Sequence, residues 1–353
     1  MSNYPFKNLA FQGGGIKTLA YQGALLTLEE YGILPQIQRV AGTSAGAMVA
    51  TIVSFRLSAK ETIDLFNSVE FSKVPGLKSA KDLSIHPPKL IESQVDRLVA
   101  NFDAARRLLY QYGWYANEHG YKFMQDVIAS QCGGNGRATF GEFKARGFRD
   151  LHIVVTNLST KSIEIFCPDM TPDVAVADAL LMSQSIPLYF EAVQFDGKQL
   201  GRGDYYGDGG VLNNFPIHAF DREPFAVENE WFVNGINWET LGLHLYTPED
   251  CPGRRRQITS LSGYIMNLME AMVEQQDAVL ANNQADRWRS ISISNCCVSI
   301  NDFHIKPTAD DEKYQKLLAA GREAAVQYLD HYKPPTPDQL KWLKKVVGRL
   351  WPL

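Results

Sequence analysis

Ser44 lies in a short sequence whose residue types suit a nucleophile. Residues 42–46 read Gly-Thr-Ser-Ala-Gly, between an apolar segment that predicts a buried strand and a small, apolar segment that predicts a helix. In a strand–turn–helix the serine hydroxyl projects clear of the chain, and Gly42 and Gly46 are needed because larger side chains would crowd the strained turn. The helix N-terminus adds free N–H groups and the positive end of a dipole. The alternative is a plain turn before a core helix.

A glycine-rich loop follows the first predicted strand. Residues 12–17 have the sequence Gln-Gly-Gly-Gly-Ile-Lys. A P-loop and a dinucleotide-binding fingerprint both require glycine at position 18, where this chain has Thr18, so neither interpretation holds. The backbone N–H groups of the loop can instead turn toward an anion, with Lys17 nearby, and beside a nucleophilic serine they would form an oxyanion hole. A tight turn that merely requires glycines is the alternative.

Asp208 is the carboxylate that the sequence offers as a base for this serine. It precedes Gly209 and Gly210, in a loop as rich in glycine as those around Gly14 and Ser44. A serine hydroxyl needs a base to attack at neutral pH, and the usual base is histidine. No histidine lies in a glycine-rich or otherwise distinctive loop: His86, His119, His152, His218, His244, His304 and His331. The sequence therefore predicts a direct Ser–Asp pair, with an ordinary turn aspartate as the alternative.

The remaining pattern predicts an α/β chain. Apolar runs predict strands at 8–11, 37–41, 151–157, 162–167, 241–246 and 291–300, and helical periodicity predicts helices at 18–31, 45–55, 174–182, 258–287 and 310–332. Residues 58–150 are predicted to be a helical insertion that covers a site or contacts lipid, or else packs plainly on the sheet. Residues 333–353 are predicted to be a Pro-rich spacer and a basic amphipathic helix, which would lie in a membrane interface or cap the fold.

Composition narrows the function classes. The chain has 353 residues, 45% hydrophobic and 21% charged, with a net charge of −4, so nothing favours binding to a nucleic acid polymer. Five cysteines without Cys-x-x-Cys spacing predict neither a disulfide framework nor a zinc site, and favour a reducing compartment. No signal peptide and no apolar run of membrane-spanning length is visible. A cytoplasmic protein, or one that meets a membrane from its surface, is expected.

The three glycine loops together resemble a known family. Residues 13–17, 42–46 and 208–210 resemble, in order and setting, the three signature motifs of the patatin-like phospholipases. Supporting resemblance comes from residues 139–141, 183–187 and 208–216 and from the last helix near Gly321. The resemblance covers residues 6–332, the expected catalytic domain, and implies a three-layer α/β/α patatin-like fold with a mostly parallel central sheet.

The resemblance also implies an activity. Ser44 would attack a fatty-acyl ester, Asp208 would take its proton and later activate water, and the N–H groups of Gly13, Gly14 and Gly15 would hold the oxyanion. No metal and no cofactor is implied. The residues that support the three motifs would be Lys17, Gly42, Gly46, Gly209 and Gly210.

The expected substrate is a phospholipid or lysophospholipid at a membrane surface. Some members of the family are delivered to another cell without a cleaved signal peptide or need an activating ligand or protein, such as a cyclic nucleotide or a host factor, and the same is open here. Two other functions stay open: an acyltransferase of related architecture, and a catalytically silent lipid-binding module.

Overall fold

A mostly parallel sheet forms the centre of the structure, a computed structural model that describes residues 4–68, 104–227, 229–251, 257–300, 302 and 304–333. The strands in these residues are β1 (Asn8–Phe11), β2 (Arg39–Thr43), β3 (Gly113–Tyr115), β4 (Asp150–Asn157), β5 (Ser162–Phe166), β6 (Leu188–Phe190), β7 (Val193–Phe195), β8 (Asp204–Asp208), β9 (Phe232–Val233), β10 (Ile236–Asn237), β11 (Thr240–Tyr246) and β12 (Ser290–Ser294).

The helices surround this sheet. They are α1 (Tyr21–Glu30), α2 (Ala45–Ser54), α3 (Ala59–Asn67), α4 (Glu118–Gln131), α5 (Phe140–Ala145), α6 (Val176–Ser183), α7 (Leu261–Asn282), α8 (Gln284–Trp288) and α9 (Glu312–His331). A further helical segment spans 104–111. Short 3₁₀ helices lie at Gly15–Ala20, Leu34–Gln36, Gly209–Val211 and Glu223–Phe225.

The strand order confirms the predicted fold class. Within the described residues the central sheet has eight strands in the order β12-β11-β1-β2-β4-β8-β7, with β5 also paired to β4. The five strands from β12 to β4 are parallel, whereas β5, β7 and β8 are antiparallel to their neighbours. The carboxyl ends of parallel strands meet at one edge of a sheet, and ligand sites of open α/β folds lie there. The loops after β1 and β2 therefore lie side by side.

Alternating side chains of the strands pack against two different layers. Residues such as Leu9 and Val40 point into the main hydrophobic core, which α1, α2, α6 and α9 cover. Ala10 and Ala41 point to the opposite face, against Ile217 and Phe220 of the segment after β8 and against the end of α7. Helices on one face and this second layer on the other make the three-layer α/β/α arrangement.

Two predicted elements end earlier than expected. The helix predicted over 258–287 is divided at Asn283, whose extended backbone and side-chain oxygen cap α8 through the N–H groups of Ala285 and Asp286. The strand predicted over 291–300 ends at Ser294 because the chain then turns through residues of positive φ. Apolar periodicity does not detect either local event, because a side-chain cap and a change of backbone φ leave no apolar pattern of their own.

The expectation that the cysteines form no disulfide is wrong. Cys251 and Cys297 are joined by a disulfide, with their Cα atoms 5.4 Å apart. The two residues are 46 positions apart in sequence but lie in the loops that follow β11 and β12, and neighbouring parallel strands place those loops side by side. Spacing along the chain could not show this proximity, and the cysteines no longer favour a reducing compartment.

Part of the predicted cover region and most of the predicted tail lie outside the described residues. Of the 58–150 region, α3, α4, α5 and the segment 104–111 are helical, whereas residues 69–103 are not described. The tail predicted over 333–353 is described only at residue 333, so its helix stays a prediction. In the described part of the chain, no helix has both the length and the apolar character needed to cross a bilayer.

Candidate active site

Ser44 occupies the sharp turn between β2 and α2. Its φ of 54° and ψ of −128° lie outside the usual regions for a non-glycine residue, so the turn is strained. A Cβ on Gly42 would collide with the main chain of Gly46, and one on Gly46 would lie 2.5 Å from the Phe11 carbonyl oxygen. Glycine is thus required at position 42 by the close approach of the turn to itself, and at position 46 by its close approach to the end of β1.

Ser183, at the end of α6, supports this turn. Its hydroxyl accepts a hydrogen bond from the Ser44 N–H at 2.9 Å and donates one to the Val154 carbonyl at 2.7 Å. The strained peptide is therefore anchored to β4 through a single side chain. Residues 183–187 were noted in the sequence only as a supporting segment, and this role was missed.

Asp208 lies at the end of β8, in hydrogen-bond contact with the serine. The Ser44 hydroxyl donates to Asp208 Oδ2 at 2.6 Å, across 164 positions of sequence. The Gly210 N–H donates to Oδ1 at 2.7 Å, and the Thr156 hydroxyl donates to the Asp208 carbonyl at 2.9 Å. Both carboxylate oxygens are therefore held, and Asp208 is only 2% exposed.

The environment of Asp208 shifts its acidity. Burial raises the pKa of Asp208 from the ordinary 3.8 to about 7, although the hydrogen bonds from Ser44 and Gly210 oppose this shift. Removing the carboxylate from water destabilises its charged form, and the nearby donors only partly replace that water. A carboxyl group with a pKa near neutral is well matched to accept a proton and return it.

The described histidines do not take part in this contact. Among the described residues, no histidine forms a hydrogen bond with Ser44 or Asp208. His218, the one nearest to Asp208 in sequence, instead contacts Asp221 at 2.8 Å and Asp286 at 3.0 Å. Burial opposes its charged form, yet these two carboxylates raise the pKa of His218 to about 9. It belongs to a charged cluster with Arg289 that holds α8 and β12 in place.

The first glycine loop lies beside the serine. A Cβ on Gly13 would be 3.0 Å from the Ser44 Cβ. The Gly13 N–H already donates to the Asn214 carbonyl at 3.0 Å, so of the three predicted oxyanion donors this one is occupied. Within the described residues the N–H groups of Gly14 and Gly15 have no hydrogen-bond acceptor. Lys17 lines the adjacent cavity, in the 3₁₀ turn that begins at Gly15.

Asn214 joins the first and third glycine loops, and sequence reasoning missed it. Its side-chain amide donates to the Gly13 carbonyl at 3.1 Å, and its own carbonyl accepts from the Gly13 N–H. A Cβ on Gly210 would lie 2.8 Å from Asn214 Oδ1, and one on Gly209 would crowd the Thr43 side chain at 2.8 Å. The glycines of the third motif therefore permit close approach. An amide residue within a glycine cluster was the available signal.

Two cavities of different character meet at Ser44. One, which we call the polar cavity, is lined by polar and apolar residues alike, and its polar side consists of Gln12, Gly13, Gly14, Lys17, Asp208, Asn214, Asn267, Glu270, Asp277 and Asn295. The other is apolar and is lined by Ile16, Met48, Phe123, Met124, Leu180, Leu181 and Phe190. The apolar one holds about 870 Å³ of empty space, open solvent at its mouth included.

Known proteins share this sequence pattern and fold. The family model described as "Patatin-like phospholipase" matches residues 9–221. The protein YqhO of Bacillus subtilis is 30% identical over 220 residues, 60% of this chain and 66% of that protein. The "Probable lipid hydrolase 463L" of Invertebrate iridescent virus 6 is 24% identical over 231 residues, 65% of this chain and 69% of that protein. The match thus spans about two thirds of the length of each of these two relatives.

A solved structure shows the same fold. VipD from Legionella pneumophila aligns with a TM-score of 0.55 at 18% identity, over 94% of this chain and 68% of that one. At this identity the likeness concerns the fold alone.

Proposed function

Because the chain belongs to the patatin-like phospholipase family, we propose that it is a lipid acyl hydrolase that cleaves a fatty-acyl ester of a glycerophospholipid or lysophospholipid. The observation that carries the proposal is the 2.6 Å hydrogen bond from the Ser44 hydroxyl to Asp208, at the junction of a polar and an apolar cavity. One relative is described as a probable lipid hydrolase, and this supports the same substrate class.

In the proposed first step, Ser44 Oγ attacks the ester carbonyl carbon while Asp208 Oδ2 takes the hydroxyl proton. A pKa near neutral makes the carboxylate available at physiological pH and basic enough to help. The tetrahedral oxyanion would accept hydrogen bonds from the N–H groups of Gly14 and Gly15, which stabilise charge only as it develops. The proton on Asp208 would then pass to the leaving alcohol oxygen.

In the proposed second step, Asp208 takes a proton from water, which attacks the acyl-serine. Collapse of the second tetrahedral intermediate returns the proton to Ser44 Oγ and releases a fatty acid. Gly13 would act differently from its two neighbours, because its N–H is bonded to Asn214 and so holds the loop rather than the oxyanion. No step needs a metal or a cofactor.

The two cavities suggest how the substrate lies. An acyl chain removes apolar surface from water by entering the cavity lined by Met48, Met124 and Leu181. The polar glycerol and head group would then occupy the cavity lined by Gln12 and Asn267. The ester carbon would lie at Ser44, which lines both cavities.

Substitution of the two central residues tests the chemistry. We expect Ser44→Ala and Asp208→Asn each to abolish fatty-acid release from phospholipid vesicles, measured by mass spectrometry. Ser54→Ala, at the C-terminal end of α2, and Asp204→Asn, at the start of β8, are the matched controls and should keep activity. Retained hydrolysis in Asp208→Asn would refute the dyad.

The same assay separates the alternative functions. Transfer of the acyl group to an added alcohol, in preference to water, would indicate an acyltransferase. Failure of a fluorophosphonate probe to label Ser44 in folded protein would indicate a silent lipid-binding module. Comparison of diacyl and lysophospholipids labelled at one chain gives the ester position that is cleaved.

A narrowed cavity tests where the acyl chain lies. Leu181→Trp should lower kcat/KM for long-chain esters much more than for a butyrate ester, because the larger ring fills the apolar cavity. Leu109→Trp, at a residue 72% exposed, is the control. An equal loss for both esters would place the chain elsewhere.

A further inference from the structure

The Cys251–Cys297 disulfide lies at the wall of the polar cavity, not at a point where the sheet needs a cross-link. Both residues line the cavity that Ser44 and Gly14 also line. β11 and β12 are already paired over five residue pairs, from Gly242 with Ser290 to Tyr246 with Ser294. The disulfide therefore restrains only the two loops beyond the strand ends. Its effect on the protein depends on what those loops contact.

The loop after Cys297 contacts the oxyanion loop three residues later. The Ile300 carbonyl accepts a hydrogen bond from the Ile16 N–H at 3.4 Å. A Cβ on Gly15 would collide with that carbonyl oxygen, so Ile300 lies directly behind Gly15. Gly15 has a φ of +55°, and its N–H is one of the two candidate donors for which the described residues provide no acceptor. Any shift of Ile300 changes the support of this peptide.

The loop between the disulfide and β12 is strained and needs to be held. Cys296 and Cys297 have φ values of 51° and 61°, which non-glycine residues adopt only where their surroundings impose them. The Asn295 side chain accepts from the Cys297 N–H at 3.0 Å and donates to Thr247 at 2.7 Å. The disulfide is the covalent part of this restraint and links it to Cys251 in the loop that follows β11.

We infer that the Cys251–Cys297 disulfide positions the oxyanion loop through Ile300, so that reduction of this bond lowers turnover without weakening substrate binding. The inference rests on the proposed function in assigning the donor role to Gly15. Oxyanion donors act in the transition state, so a misplaced donor lowers kcat and leaves KM nearly unchanged. Loss of a whole donor costs roughly 100- to 1000-fold, and we expect a loosened one to cost roughly tenfold.

The bond is open to reduction from one side. Cys297 is exposed, whereas Cys251 is 9% exposed. A thiolate of an added dithiol attacks Cys297 Sγ and expels the Cys251 thiolate. The second thiol of the reagent then displaces Cys297, and the reagent closes to a cyclic disulfide while both cysteines end as thiols. Cys296 is a poor competitor, because burial raises the pKa of its thiol.

The test begins with a thiol count and amide exchange on the full chain. Titration of denatured, unreduced protein should find three free thiols among five cysteines, and five would overturn the inference. After reduction, the backbone amides of residues 13–16 should exchange faster, while those of β4 should not change. Unchanged exchange at 13–16 would overturn the positioning role, whether or not the protein hydrolyses lipid.

Kinetics on a soluble chromogenic ester complete the test. Reduction, or the Cys251→Ser/Cys297→Ser variant, should lower kcat roughly tenfold at constant KM, and the variant should not respond further to dithiol. Cys296→Ser keeps the disulfide and should respond like the unaltered protein. A changed KM at constant kcat would overturn the inference.

Absence of any hydrolysis by oxidised protein would refute the proposed function instead, and the exchange data would still decide the inference. Reduction in place serves if the variant does not fold.

Discussion

Asp208 should weaken the fold in the same pH range in which it becomes able to act as a base. Burial raises its pKa from 3.8 to about 7 in the folded protein. Because the folded-state pKa is the higher one, the full stability is present below pH 3.8 and is lost as the pH rises toward 7. About three pKa units at roughly 1.4 kcal/mol each give an upper limit of about 4 kcal/mol.

Replacement of Asp208 by asparagine removes both the destabilisation that comes from burying an ionised carboxylate and the activity. The free energy of unfolding of Asp208→Asn should equal that of the unaltered protein near pH 4. As the pH rises, the unfolding free energy of the variant should exceed that of the unaltered protein by about 1.4 kcal/mol more per pH unit. The difference should reach a plateau of about 4 kcal/mol above pH 7. Urea unfolding at pH 4, 5.5, 7 and 8.5 measures the difference. In the unaltered protein, kcat/KM should rise about tenfold per pH unit up to a pKa of about 7.

Asp221→Asn is a control of opposite sign. Burial opposes ionisation of Asp221, but hydrogen bonds from His218 and Arg289 hold its pKa below the ordinary value. Its contribution is present above pH 3.8 and is lost as the pH falls, so this variant should be destabilised at neutral pH and less so in acid. A stability difference for Asp208→Asn that does not vary with pH would refute the reasoning.

Three further substitutions test the supports of the site. Gly15→Ala places a methyl group against the Ile300 carbonyl at positive φ, and should lower kcat at least tenfold at unchanged KM; normal kcat would contradict this role. Ser183→Ala leaves the Ser44 N–H without its partner. It should slow fluorophosphonate labelling and destabilise the protein by about 1–3 kcal/mol in urea, and unaltered labelling would exclude a supporting role. Gly321→Ala pushes α9 from the backbone at the start of α1, and should lower stability by about 1–3 kcal/mol without changing kcat per folded molecule.

The sequence was informative where the chemistry is local. The glycines around Ser44 and the glycine cluster after Asp208 predict a special backbone because few other residues permit one. β1 was predicted at its observed bounds, Asn8–Phe11, and most helices were predicted to within a few residues. Each of these features depends on residues close together in the chain.

The features that were missed depend on distant partners. The occupied N–H of Gly13 depends on Asn214, 201 positions away, and no glycine pattern indicates which N–H groups remain free. The disulfide depends on the pairing of β11 with β12. The strands β7 and β8 were not predicted, although β8 carries Asp208. Both strands are short, and the polar, glycine-rich turn between them is typical of a loop.

The antiparallel direction of β8 makes the proposed chemistry depend on a strand register. Asp208 pairs with Val155 of β4, and Thr43, just before Ser44, pairs with Val154. The register of β2 and β8 on β4 therefore sets the distance between the Ser44 and Asp208 side chains. A slip of β8 by one residue would turn the carboxylate to the other face of the sheet, and a slip by two would carry it nearly 7 Å away. Insertions in the turn at 196–203 should therefore leave hydrolytic activity unchanged. A single residue added within β8 should abolish that activity in a protein that still folds.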